Sequence, residues 1–164
     1  MARHRTGKPP GASRVMMTEL VNPEDTNAQG NIFGGRVMAL IDKAAAIVAL
    51  RHCRSQIVTA SVDSLTFLSP IRLGSIVVIE ARLHNVFRSS MEIGVRVESE
   101  DVFTGERRHT TTAYVTVVAI DEKGAPIPAP PFLAETEEDR VLAQEAADRR
   151  AQRLHRRAES SPSR

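Results

Sequence analysis

From Gly35 to Leu50 the chain is almost continuously apolar, and its polar members, Arg36, Asp42 and Lys43, form no clean face. Such a segment predicts a helix buried on nearly all sides. Downstream the period changes. Four runs, Ile57–Phe67, Ile76–Phe87, Met91–Glu100 and Arg107–Ile120, predict strands. Within them "VVIEAR" and "MEIGVRVE" alternate, and "TTTAYVTVVAI" is rich in β-branched residues. The turn formers "SPIRLGS", "RSS", "DVFTGE" and "DEKGAP" bound these runs. A shorter strand over Val15–Leu20 precedes the loop "VNPEDTNAQGNIFGG", whose paired glycines mark the start of the helix. One long helix followed by long antiparallel strands predicts an α+β domain, a curved sheet wrapped around a central helix. Its free edge strand invites pairing with a second copy.

The ends read differently. Residues 1–14, rich in Pro, Gly and Arg, are expected to be a disordered basic arm. Residues 15–133 form the domain, and 134–164 a charged helix and tail. The helix expected over 135–158 has a thin apolar stripe (Val141, Leu142, Ala146, Leu154), so its folding depends on contacts outside itself.

Composition narrows the class. Of the 164 residues, 41% are hydrophobic and 26% charged, ordinary values for a soluble globular protein. The net charge of +2 is unevenly spread. Residues 1–14 hold four basic residues and no acid, 15–133 hold 11 basic and 13 acidic, and 134–164 hold seven of each. The basic character therefore sits at the ends, and the central domain is not a nucleic-acid-binding surface. No apolar run is long enough for a membrane span. A single cysteine, Cys53, forms no intrachain disulfide and suits a reducing cytoplasm.

The chemical candidates are few. His4, His52, His84, His109 and His155 are scattered without metal-ligand spacing, so we expect surface or capping histidines and neither metal nor cofactor. Cys53 reads as an incidental thiol, and "GNIFGG" fits neither nucleotide-loop pattern. Asp42 differs. A carboxylate within an apolar helix is costly unless partnered or functional, and its helical neighbours Met38, Ala39, Ala45 and Ala46 leave room for a ligand. Gly34 and Gly35 place free first-turn N–H groups where an oxyanion could approach. Asn27, Asp25 and Asn31 read first as turn formers.

Together these residues resemble the hotdog-fold acyl-CoA thioesterases, specifically the cytosolic acyl-CoA hydrolase group related to the brain enzyme. The resemblance rests on "PEDTNAQGNIFGGRVMALIDKAAAIVA", "VTASVDSLTFLSPIRLGS", "RSSMEIGVRVESED" and "YVTVVAIDEKGAPIPAPP", in the family's order. It implies hydrolysis of acyl-CoA to fatty acid and coenzyme A. Asp42 would be general base or nucleophile, Asn27 would position water or substrate, and the Gly35 N–H would polarise the thioester carbonyl. Arg88, Ser89 and Ser90 would contact coenzyme A, with Thr59 a further binding candidate. Phe33 stands where many relatives have histidine. The resemblance also implies a cytoplasmic homo-oligomer, a dimer or a trimer of dimers, with Asn27 of one chain facing Asp42 of the other. Two non-enzymatic alternatives are a hotdog scaffold that binds acyl-CoA without catalysis, and RNA binding by the arginine-rich tail. The first need not keep Asp42 with Asn27, and the second lacks interleaved aromatics.

Overall fold

The computed structural model describes residues 6–63 and 65–160, the side chain of Ser160 excepted. Strand β1 (Val15–Leu20) leads through the loop to helix α1 (Gly34–Cys53). Strands β2 (Gln56–Val62), β3 (Ile76–Phe87), β4 (Ser90–Glu100) and β5 (Arg107–Ile120) follow, then helix α2 (Glu137–Ser160). The five strands form one antiparallel sheet in the order β1-β3-β4-β5-β2. Helix α1 connects the two edges and lies across one face. Against it pack Ile79, Ala81 and Leu83 of β3, Ile93, Val95 and Val97 of β4, and Val115 and Val117 of β5, all buried. This is the predicted hotdog arrangement. The α1 residues facing them are Val37, Leu40, Ile41, Ala44, Ala45, Val48 and Ala49. Alanines at three of these positions let the helix sit close to the curved sheet.

Strand β2 is shorter than expected. It pairs with β5 from Gln56 to Val62, with a break in register between Thr59 and Ser61 that leaves Ala60 unpaired. Beyond Val62 the chain leaves the ladder. Asp63 N–H still donates to Tyr114 O, but Leu68 N–H next meets Thr110 O and Ser69 Oγ donates to His109 O, which folds the apolar run into a loop. Ser64, inside the predicted run, lies outside the described residues.

The N-terminal segment departs from the expected disorder where it is described. Pro10–Ala12 form a 3-10 turn with Pro10 buried. Lys8 bridges to Phe132, and its ammonium donates to His52 O at 2.8 Å, satisfying a carbonyl in the last turn of α1. The chain thereby finds partners that composition alone did not reveal. Residues 1–5 lie outside the described set.

Helix α2 covers the opposite face of the sheet, and its docking is ionic. Val141 and Leu154 of the expected stripe are about half exposed, while Ala146 is buried. Arg149 donates through Nε (3.1 Å) and Nη2 (2.7 Å) to Glu92 Oε1, a carboxylate fully buried at the centre of β4. The same guanidinium stacks 3.7 Å over the Tyr114 ring. Burial pushes the Glu92 carboxyl up, but the nearby His84 ring and the Arg149 fork more than offset this and hold it below the ordinary carboxylate value. His84 Nδ1 stands 3.7 Å from Glu92 Oε1, while Arg149 fixes the geometry. One turn on, Arg153 Nη1 donates to Asp63 Oδ2 at 2.7 Å. At the other end, Asp139 accepts N–H bonds from Glu135 and Thr136 and a 2.6 Å bond from Arg82.

Candidate active site

The loop before α1 is tied to the helix by Arg36. Its Nε donates to Asp25 Oδ1 at 3.0 Å and its Nη2 to Glu19 Oε2 at 2.7 Å, joining loop, helix and β1. Asp25 thus has a structural partner that the turn reading did not foresee. Within the loop, Asn27 Oδ1 accepts N–H bonds from Gln29 (3.0 Å) and Asn31 (3.1 Å), so its carbonyl oxygen holds the turn. The side chain is half-buried, and among the described residues its amide NH2 has no bond of its own.

At the helix start, the N–H groups of Arg36 and Val37 both reach Phe33 O. Those of Gly34 and Gly35 stand ahead of the helical ladder, at its positive end. A Cβ on Gly35 would meet nothing within 4 Å, so its surroundings are open. Phe33 is half exposed beside this turn.

Asp42 corrects one expectation. It is exposed in the single chain rather than buried, as are Gly35, Met38 and Ala39 one and two turns before it. The helix is therefore apolar on a face that its own sheet does not cover. Asp42 Oδ1 accepts a 2.7 Å bond from Thr59 Oγ1, which crosses from α1 to the edge strand. Around this pair lies an open cleft of about 420 Å³ lined by Gly35, Met38, Ala39, Ile41, Asp42, Thr59, Val62 and Leu65. It joins one carboxylate, one hydroxyl and the open first turn of a helix to an apolar wall. Such a site can activate a nucleophile, receive an oxyanion and hold an alkyl chain. Asn27 and Asp42 make their described bonds to different partners within the chain.

Arg88 and Ser89 form the β3–β4 turn. Arg88 is exposed, with φ of +55°, a left-handed conformation unusual outside glycine. The turn is held by bonds from Ala129 N–H to Arg88 O (2.7 Å), Ala119 N–H to Ser89 O (2.9 Å) and Ser90 Oγ to Phe87 O (3.3 Å). Ser90 lies opposite Val118 of β5, which in turn lies opposite Val58 of β2, so this turn stands two strands from the Asp42 cleft, and no described bond joins them.

Two histidines are not at the surface. His52 is fully buried and donates from Nε2 to Pro130 O at 2.8 Å, and His84 is packed over Gly94, where any Cβ would collide with its ring. Burial, with Lys8 adding to it against the Pro130 bond, pushes His52 below its ordinary value. His109 bonds Thr112, and His155 is exposed near Glu159. His4 lies outside the described residues. Cys53 is buried, with Ser55 Oγ 3.2 Å from its sulfur. Among the described residues no cluster of three or more His, Cys, Asp or Glu could hold a metal ion, and no helix is long and apolar enough to cross a membrane.

The family model of the thioesterase superfamily matches residues 29–105, which span the glycine turn, Asp42 and Thr59. An uncharacterized acyl-CoA thioester hydrolase of Bacillus subtilis is 43% identical over 90% of this chain and 86% of its own length. The chain belongs to this thioesterase family. An apo-hexameric acyl-CoA thioesterase of known structure superposes with a TM-score of 0.89 at 43% identity, covering 93% of this chain and 98% of that one. The Staphylococcus aureus acyl-CoA hydrolase, solved with butyryl coenzyme A, coenzyme A and coenzyme A disulfide, gives 0.86 at 37% identity over 93% of each chain. Within the thioesterase family, the α1 helix, the glycine turn and the wrapped sheet of this chain are thus the shared frame. Sequence reasoning missed two contacts, the Arg36 latch and the Glu92–Arg149 contact under α2. The only signal for the latter was Arg149 and Arg153 at one-turn spacing on a helix with too little apolar surface.

Proposed function

We propose that this thioesterase hydrolyses acyl-CoA thioesters at the Asp42 cleft. The observation that carries the reading is the Thr59–Asp42 pair, set in an apolar cleft beside the open N-terminus of α1. The thioester carbonyl oxygen sits at the Gly35 N–H, where developing negative charge meets the helix's positive end. Thr59 orients Asp42 by occupying one oxygen, and the second oxygen takes a proton from water or attacks the carbonyl itself. The C–S bond breaks and coenzyme A leaves as a thiolate, a weak base that needs little protonation in the transition state. The acyl chain lies along Met38, Ala39, Val62 and Leu65. Arg88, with Ser89 and Ser90, binds a phosphate of coenzyme A, since an exposed guanidinium beside hydroxyls suits that group.

The uncovered face of α1 and the free edge of β2 point to closure by a second copy, in a cytoplasmic dimer or trimer of dimers. Asn27 of one protomer then brings its free NH2 to Asp42 of its partner. That the hexameric enzyme and the coenzyme A-bound S. aureus hydrolase share this frame supports the assembly and the substrate. The S. aureus enzyme has also been solved as separate alanine variants of an aspartate, an asparagine and a threonine, the residue types argued for here.

The test mixes two inactive variants. Asn27→Ala and Asp42→Ala, each folded, are unfolded together, refolded and assayed for free thiol from acyl-CoA. In a heterodimer one site loses both residues and the other regains both. With about half the dimers mixed, roughly a quarter of wild-type activity returns. No recovery despite confirmed subunit exchange refutes the shared site, and no thiol release by the wild type refutes the activity.

A further inference from the structure

The far wall of the Asp42 cleft is the end of an edge strand. Val62 and Leu65 line it, yet β2 has a ladder partner on one side only and a broken register at Thr59–Ser61. Within one chain the backbone bonding there is thin. What holds it comes from behind the sheet. Asp63, between those two lining residues in sequence, donates its N–H to Tyr114 O at 2.9 Å, and its carboxylate accepts 2.7 Å from Arg153 of α2. Both partners are largely shielded, with side chains 18% and 13% exposed. Arg153 in turn lies 3.5 Å from Glu92 Oε2, a buried oxygen without a hydrogen bond among the described residues. Arg149, one turn earlier on the same face, grips the other oxygen of Glu92 and covers Tyr114, the residue that receives the Asp63 N–H. Two arginines thus tie the cleft wall to the middle of β4.

We infer that Arg153 is a positioning residue that sets acyl-chain selectivity by fixing, through Asp63, the wall to which Val62 and Leu65 contribute. The inference rests on the acyl-CoA reading above. The reactive end of the cleft, Asp42 with Thr59 and Gly35, has its own supports in α1. Val62 lies three residues further along the strand, roughly 10 Å away. A short acyl group reaches only the reactive end, whereas a long one runs along the wall. Loosening the wall therefore acts on long chains and spares short ones. An arginine acting only through stability would lower all substrates alike.

The test compares wild type, Arg153→Gln, Asp63→Asn, the double variant and Arg153→Lys as full-length protein. Each is assayed with acetyl-, octanoyl- and palmitoyl-coenzyme A, alongside melting temperature and assembly mass. Each single variant is expected to lower the palmitoyl-to-acetyl ratio of kcat/KM about tenfold. The double variant should do no worse than either, because both remove one contact, and Arg153→Lys should restore most of the ratio. An unchanged ratio with a lowered melting temperature refutes the positioning role, as does additivity in the double variant. Should Arg153→Gln fail to assemble, Asp63→Asn gives the same readout from the other partner. A wild type inert on all three substrates refutes the proposed function instead.

Discussion

Two carboxylates stand on opposite sides of the same sheet, and their surroundings could hardly differ more. Glu92, under α2, has no exposed surface and is gripped by a two-pronged arginine, with a second arginine and a histidine close by. Asp42, beside α1, is exposed and accepts one bond from a hydroxyl. A buried charge must be neutralised by its neighbours, so Glu92 has no freedom left for chemistry. Asp42 keeps an oxygen available, at the mouth of an apolar cleft. Burial and partners, rather than residue type, separate the structural acid from the one proposed to react.

Removing each side chain should sharpen that contrast. Asp42→Ala is expected to lower hydrolysis by about 10³-fold, in the range for loss of a general base. Its melting temperature should move by no more than about 2 °C, since an exposed group contributes little to folding. A large loss of stability, measured by scanning calorimetry, would contradict the division.

The opposite pattern is expected across the sheet. Arg149→Ala strands the Glu92 charge and should cost about 3–5 kcal/mol, a fall in melting temperature on the order of 10 °C. Turnover of acetyl-coenzyme A by the folded fraction should change little. Replacing both partners with apolar residues, Glu92→Leu with Arg149→Met, should recover most of the stability, because no unpaired charge remains. If the double variant were as unstable as the single one, packing rather than charge would be the cause.

A smaller effect lies in pH. The folded pKa of His52 is below its unfolded value, so the unfolded chain takes up a proton first as pH falls. Its contribution is full above the unfolded value, about 6.5, and drains below it by at most ~1.4 kcal/mol per pH unit. Glu92, also held below its ordinary value, contributes above the carboxylate range and is lost only at more acid pH. Melting curves between pH 7.5 and 5 should therefore decline in wild type and flatten in His52→Gln. Parallel curves would remove His52 as the cause.

Most of the inner layer was legible in the sequence. The change of period from helix to strand, the glycine pair and the alternating runs placed the start of α1 and four of the strands within a residue, and Asp42 drew attention because no helical neighbour explained it. The same reasoning misjudged its burial. Met38 and Ala39 are apolar yet exposed, so the pattern along α1 carries more apolar surface than this sheet covers. Of the outer layer the helix itself was legible, expected over 135–158 and found over Glu137–Ser160, but its docking was not. In "MEIGVRVE" the alternation points Glu92 away from the core, and alternation alone does not say whether solvent or a second layer lies there. The Lys8 cap and the loss of β2 after Val62 depend on contacts made by residues far away in sequence, which a local pattern does not contain.

The unpaired Ala60 has a bearing on how the edge of the sheet behaves among other proteins. An edge strand offers its backbone groups to any extended chain. In β2 the extra residue bends the strand and puts one half of the row out of step with the other. A regular strand sliding onto it could satisfy the residues before Ala60 or those after it, but not both. The same bulge that brings Val62 onto the face of Thr59 thus makes the edge a poor template for chance aggregation and a readable one for a strand carrying a matching offset.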